Sequence, residues 1–184
     1  PNLITISGFF LNLTNLIITV YYGGWKGTDY FPPWVCCLVP LLYSIYIILD
    51  YSDGKQARRI KASSPLGLLV DHGTDACSTF YVTINIGAIV GLNNIYQYIL
   101  LYFPITSTFF LNTWEEYYVG ELVLPILNGV SEGTLIIDSV CLISAIKGVS
   151  FYLQKSEWFG IQYNEVFLVI VFVGGLVFGI KSII

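Results

Sequence analysis

Charge is scarce in this sequence. Only 11% of its 184 residues are Asp, Glu, Lys or Arg, where soluble domains carry roughly 25%, and the mean hydropathy is +0.73. So little charge cannot cover a water-soluble globule, and that class is excluded. Eight basic residues against twelve acidic ones leave a net charge of −4 and no basic stripe, which excludes a nucleic-acid partner. The four cysteines, Cys36, Cys37, Cys77 and Cys141, lie in apolar runs without CxxC or CxxxC spacing. They fit reduced, buried thiols better than a zinc or redox centre. No ten-residue alternation of the barrel type occurs, and no repeat of 20 to 50 residues breaks the chain into units. Methionine is absent, so the chain is expected to be trimmed at one or both ends. Its first apolar run has neither a basic leader nor a small-residue cleavage pattern, which argues against a signal peptide.

What the sequence has instead is apolar length. Fifty-five per cent of the residues are hydrophobic, and a bilayer core needs about 20 apolar residues per helix. Six segments qualify, approximately Leu3–Tyr22, Trp34–Leu49, Leu66–Leu92, Ile95–Trp114, Leu135–Leu153 and Val166–Ile184. The second is short and is expected to continue as helix past Asp50. Tyr21, Tyr22, Trp25, Trp34, Trp114 and Trp158 crowd the ends of these runs, as rings do at the headgroup level. The expected fold is all-α, a polytopic membrane bundle of about six transmembrane helices forming one domain over residues 1–184.

Lys55, Arg58, Arg59 and Lys61 form the basic cluster of the chain, which the positive-inside rule places on the cytosolic side. Counting crossings from there puts the connection from Glu115 to Thr134 on the same side. Glu115, Glu116, Glu121 and Glu132 then share a face with the acidic residues that follow Leu49. The loops at Gly23–Pro33, Gly91–Asn94 and Gln154–Asn164 face the other way.

Asp50 and Asp53 are three residues apart and Asp71 and Asp75 four apart, so each pair lies on one helix face. Asp71 and Asp75 sit between Leu66-Gly-Leu-Leu-Val70 and Ala76-Cys-Ser-Thr-Phe-Tyr-Val82, where a solvated loop has no reason to be so apolar. An ionisable group in a membrane segment costs on the order of 3 kcal/mol, and four of them call for a cationic partner. With no Cys and no second His in the cluster itself, the oxygen ligands point to Mg²⁺ or Mn²⁺ over zinc. Two ions roughly 4 Å apart would suit a phosphoryl displacement. Arg58 reads as a phosphate fork, and Gly54 and Ala57 leave the second helix bare for a ligand or a neighbouring helix. Lys55, Arg59 and Lys61 are well explained as ordinary positive-inside residues.

The pattern Asp50-x2-Asp53-Gly54-x2-Ala57-Arg58-x8-Gly67-x3-Asp71-x3-Asp75 resembles the signature of the CDP-alcohol phosphotransferases at every position. Around it, Pro1-Asn-Leu-Ile-Thr5, Ser63-Ser-Pro-Leu-Gly67, Asp71-His-Gly73, Trp114-Glu-Glu-Tyr-Tyr118, Leu122-Val-Leu-Pro-Ile-Leu-Asn-Gly129 and Glu132-Gly133 are similar to the eukaryotic choline/ethanolamine phosphotransferase branch. The resemblance implies a six-helix core, a homodimer, and an endoplasmic reticulum or Golgi membrane with the site facing the cytosol. In that branch several more helices normally follow. It implies that diacylglycerol attacks CDP-ethanolamine or CDP-choline, releasing CMP and forming phosphatidylethanolamine or phosphatidylcholine.

On the same resemblance, Asp50, Asp53, Asp71 and Asp75 hold two metal ions, Arg58 meets the phosphates, and Gly54, Ala57 and Gly67 make room for the nucleotide. Lys55, Gln56 and Arg59 are weaker candidates for added donors. For the base, Asp75 and His72 compete. A carboxylate on a metal is a poorer proton acceptor, and the ordinary imidazole pKa near 6.5 suits the task, so His72 is preferred. Glu115, with Trp114, Tyr117 and Tyr118 beside it, and Glu132 are candidates for an aminoalcohol headgroup, since aromatic faces favour quaternary ammonium by about 0.5–2 kcal/mol. Two other classes stay open. A transporter also uses intramembrane carboxylates, though it would disperse them over several helices; an inactive scaffold would keep the fold.

Overall fold

The computed structural model describes residues 1–24, 31–120, 129–157 and 160–181. Among them the chain forms α1 (Asn2–Gly23), α2 (Pro33–Arg59), α3 (Pro65–Ile89), α4 (Ile95–Val119), α5 (Gly129–Lys147) and α6 (Tyr163–Lys181), with a 3₁₀ turn at Val149–Phe151 after α5. No strand occurs among the described residues beyond an isolated antiparallel bridge between Lys155 and Gln162. By length and composition, α1 and α2 are apolar enough to cross a membrane, and α6 carries a shorter apolar stretch, Tyr163–Val177. In α3 and α4, carboxylates, hydroxyls, amides and tyrosines interrupt the apolar pattern.

Local chemistry sets the helix ends. Pro33 opens α2 and Pro65 opens α3, each where the missing N–H costs nothing. Ser64 Oγ accepts from the Gly67 N–H at 3.1 Å, and Asn94 Oδ1 accepts from the Tyr96 N–H at 3.0 Å, so α3 and α4 start on capped turns. α2 continues past Asp50 to Arg59, as expected. It is closed by Lys61 in the left-handed region (φ 54) and by the Ala62 N–H donating to the Ala57 carbonyl at 3.0 Å. A non-glycine residue there costs on the order of 1 kcal/mol. That tight reversal brings the acidic end of α2 alongside the start of α3.

The outer helix ends differ from the apolar segments. α4 runs to Val119, so Glu115 and Glu116 stand on its last turns and not in a loop; Gly120 (φ 84) terminates it. α5 begins at Gly129, which places Glu132 in its first turn, and Gly148 (φ 79) ends it before Leu153. α6 begins at Tyr163, ahead of Val166. At the end of α4 and the starts of α5 and α6, charge ends the apolar run without ending the helix, because hydrogen bonding continues wherever the side chains can reach water. At the end of α5 it is glycine that stops the helix inside the run. Glu121 and the stretch 122–128, with Trp25 and Trp158, lie outside the described residues.

α1 packs along both α2 and α3, while those two touch each other sparingly. Its buried stripe is polar or small: Thr5, Gly8, Asn12, Asn15, Thr19 and Gly23. Its outward residues include Leu3 (77% exposed), Phe10 (58%), Ile17 (60%) and Tyr21 (79%). Small residues inside and large apolar ones outside invert the soluble pattern and match helix packing in lipid. Asn15 Nδ2 donates to the Val39 carbonyl at 3.0 Å. A β-carbon on Gly8 would stand 3.3 Å from Tyr46 Cδ2, so glycine there lets α1 close on α2 beside Tyr46.

The apolar core lies at the opposite end from the acidic residues. Val35, Cys36 and Val39 of α2 meet Ile86 and Ile89 of α3, Val90 just after it, Leu101 of α4, and Val140 and Cys141 of α5. Val149 and Tyr152 close it from beneath, Tyr152 donating to the Val140 carbonyl at 3.1 Å. All four cysteines are free, Cys36 and Cys141 buried, Cys37 and Cys77 exposed. On the far flank, Thr108 Oγ1 donates to the Gly175 carbonyl at 3.2 Å, joining α4 to α6. The bundle is thus tightly packed at one end and open at the other.

Candidate active site

Two helix faces converge at the open end. The carboxylates of Asp50 and Asp53 from α2 and Asp71 from α3 offer oxygens all within 4.8 Å of one another. Asp53 is buried and the other two half-buried. Such crowding is repulsive unless a cation intervenes, and one Asp50 oxygen is buried without a hydrogen-bond partner. In octahedral Mg²⁺ coordination opposite oxygens sit about 4 Å apart, so the trio needs only a small contraction to hold an ion. The residues fit the group.

Asp75, the fourth expected ligand, stands outside this trio and adjoins Asp50. Its Oδ1 accepts a 2.5 Å hydrogen bond from the Tyr46 hydroxyl, and Tyr46 is itself buried. Asp53 is anchored from α1, whose Thr5 hydroxyl donates to its Oδ2. Neither Tyr46 nor Thr5 was among the site residues expected from sequence. Tyr46 carried a usable signal, since it lies four residues before Asp50 and so on the same helix face. Thr5 closes the Pro1–Thr5 stretch but has no local partner to reveal its role.

The nucleotide-side candidates line up along the end of α2. A β-carbon on Gly54 would meet only the Arg58 guanidinium, at 3.5 Å, so the cation of Arg58 lies over a bare stretch of helix. Lys55 and Arg58 are exposed, and Gln56 and Ala57 half-buried. At Gly67 a β-carbon would stand 3.3 Å from Ser64 Oγ and 3.5 Å from Asn2 Oδ1. Gly67 thus admits both the cap of α3 and the start of α1.

His72 is half-buried, and its Nε2 lies 3.2 Å from Glu116 Oε2 on α4. The pair ties α3 to the last turns of α4. Glu115 and Glu132 are half-buried, and Trp114, Tyr117 and Tyr118 are exposed, in edge and tilted contact with one another.

From the carboxylates a cavity of about 260 Å³ runs into the bundle. Asp50, Asp75 and Tyr46 form its polar end, and Ile105, Phe109, Ile137 and Phe167 are among its apolar walls. Ser78 lies in its wall with its hydroxyl buried and lacking a regular hydrogen bond. Carboxylates at one end of an apolar channel can bring a polar group on an otherwise apolar molecule to a charged centre.

Residues 1–124 match the family model of CDP-alcohol phosphatidyltransferase. Human ethanolaminephosphotransferase 1 is 35% identical over 176 residues, 91% of this chain and 44% of that protein. Choline/ethanolaminephosphotransferase 2 of Arabidopsis thaliana is 38% identical over 157 residues, 84% of this chain and 39% of that protein. A CDP-alcohol phosphatidyltransferase class-I family protein of Schizosaccharomyces pombe is 36% identical over 154 residues, 84% of this chain and 40% of that protein. The chain spans about two fifths of the length of these relatives.

Proposed function

Because this chain belongs to the CDP-alcohol phosphatidyltransferase family, we propose that it transfers phosphoethanolamine or phosphocholine from the CDP-alcohol to the hydroxyl of diacylglycerol. The acceptor oxygen attacks the β-phosphorus, the bond from that phosphorus to the CMP oxygen breaks, and the acceptor proton passes to His72 or, failing that, to Asp75. CMP leaves, and phosphatidylethanolamine or phosphatidylcholine remains.

The observation that carries this reading is the meeting of the carboxylate trio with the apolar cavity that ends at Asp50 and Asp75. Mg²⁺ or Mn²⁺, as one or two ions held by Asp50, Asp53 and Asp71 with Asp75 adjoining, would neutralise diphosphate charge. Arg58, over the bare surface of Gly54, is suited to the phosphates, with Gly54 and Ala57 leaving room for cytidine, Lys55 and Gln56 at its edge, and Gly67 letting α1 and the start of α3 close beside it. Glu115 and Glu132 would face the aminoalcohol cation. The cavity is smaller than the roughly 300–1,000 Å³ of sites that enclose a whole ligand, and it suits the reacting end of a lipid whose chains extend into the bilayer.

We place the six helices across an endoplasmic reticulum or Golgi membrane, as part of a homodimer, with the site facing the cytosol. Lys55, Arg58, Arg59 and Lys61 at the carboxylate end support that orientation. The test is release of CMP from CDP-ethanolamine or CDP-choline with matching phospholipid formation in lipid micelles. Metal-dependent CMP release that requires diacylglycerol supports the reading; no release from either donor contradicts it.

A further inference from the structure

We infer that Glu116 is a positioning residue for His72, an inference that rests on the transferase reading and on His72 as its base. The two side chains come from different helices and are brought together only because α4 continues past the apolar run to Val119. Their side chains are 25% and 20% exposed, and Nε2 and Oε2 are 3.2 Å apart. The Glu116 oxygen is shut off from solvent with no hydrogen-bond partner of regular geometry, so His72 stands at contact distance from it without a fully formed hydrogen bond. Such looseness is common before substrate binds.

A carboxylate can only accept. Glu116 therefore selects the tautomer with the proton on Nε2, which leaves the lone pair on Nδ1 for the acceptor hydroxyl. Through its contact with the His72 ring, Glu116 also restrains the plane of the imidazole from a second helix. A group that orients a base acts on turnover and not on donor binding. An acid that met the headgroup would do the reverse.

The experiment compares Glu116→Ala, Glu116→Gln, His72→Ala and the double variant in CMP release from CDP-ethanolamine with diacylglycerol. Glu116→Ala is expected to lower kcat about 10- to 100-fold, the usual range for losing a supporting hydrogen bond to a functional imidazole, with KM for the donor within about threefold. Glu116→Gln should recover most of that loss, because its amide oxygen still accepts from Nε2–H. The double variant should be no slower than His72→Ala, as for residues acting as one unit. A raised KM with unchanged kcat would overturn the inference, and so would a double variant slowed by the product of the two single effects.

A readout independent of turnover is the nitrogen NMR of labelled histidine, assigned by its loss in His72→Ala. The wild-type signal is expected in the Nε2–H form and a mixture of tautomers in Glu116→Ala; an unchanged tautomer overturns the inference. Absence of CMP release by the wild type would count against the transferase reading, whereas an active wild type with an active Glu116→Ala counts against this inference alone.

Discussion

The Tyr46 hydroxyl donates to Asp75 Oδ1 at 2.5 Å, joining the middle of α2 to the carboxylate at the mouth of the cavity. One oxygen of Asp75 is thereby already engaged, and the carboxylate is held by a buried phenol where a mobile base would need freedom. Tyr46→Phe removes the donor without changing shape. It should lower thermal stability, since a hydrogen bond to a charged group contributes about 1.5–3 kcal/mol. Unfolding midpoints in the two proteins check this, and an unchanged midpoint would show the bond to be unimportant in the folded protein.

Thr5 holds Asp53 from a third helix. Thr5→Val keeps the volume and loses the hydroxyl, leaving Asp53 to swing. Half-saturation by Mg²⁺ should rise by about tenfold, in line with other lost supports of metal ligands. Activity measured across a metal titration tests this; an unchanged midpoint would mean that α1 does not order the trio.

His72 and Asp75 are the rival bases. His72→Ala should depress turnover by about 10²–10⁴-fold, the range for a general base, while donor affinity stays within a few-fold. Asp75→Asn should weaken metal dependence as well as turnover. If His72→Ala kept most of its rate while Asp75→Asn bound metal normally and was inactive, the two roles would be exchanged.

The role proposed for Glu115 and Glu132 is headgroup choice. Glu115→Gln and Glu132→Gln should weaken CDP-choline or CDP-ethanolamine far more than CMP, which has no cationic end. Competition binding of donor against CMP measures this. Equal losses for both ligands would move the headgroup pocket elsewhere.

Much of the site was legible because its carboxylates are spaced for helix faces. Asp50 with Asp53, and Asp71 with Asp75, announced two faces, and the structure brings three of the four together. The run past Asp50 was correctly expected to stay helical. The same reasoning was not extended to α4, where Glu115 and Glu116 end the apolar run but not the helix, so the His72 contact was not visible from sequence. Thr5 was hidden for another reason: its partner is 48 residues away, and only the packing of α1 against α2 brings them together. Periodicity reports which residues share a face, not which faces meet.

The central claim is that the Asp50, Asp53 and Asp71 cluster, at the end of the lipid cavity, drives phosphoalcohol transfer with bound metal. The direct measurement is phospholipid and CMP formation from CDP-ethanolamine and diacylglycerol by wild type and Asp53→Asn, in Mg²⁺ and in chelator, alongside unfolding midpoints in metal-free buffer. The account predicts equimolar products from the wild type in Mg²⁺ alone and a loss of several orders of magnitude in Asp53→Asn, whose metal-free fold persists. Near-normal turnover by Asp53→Asn, or undiminished wild-type turnover in chelator, would contradict it.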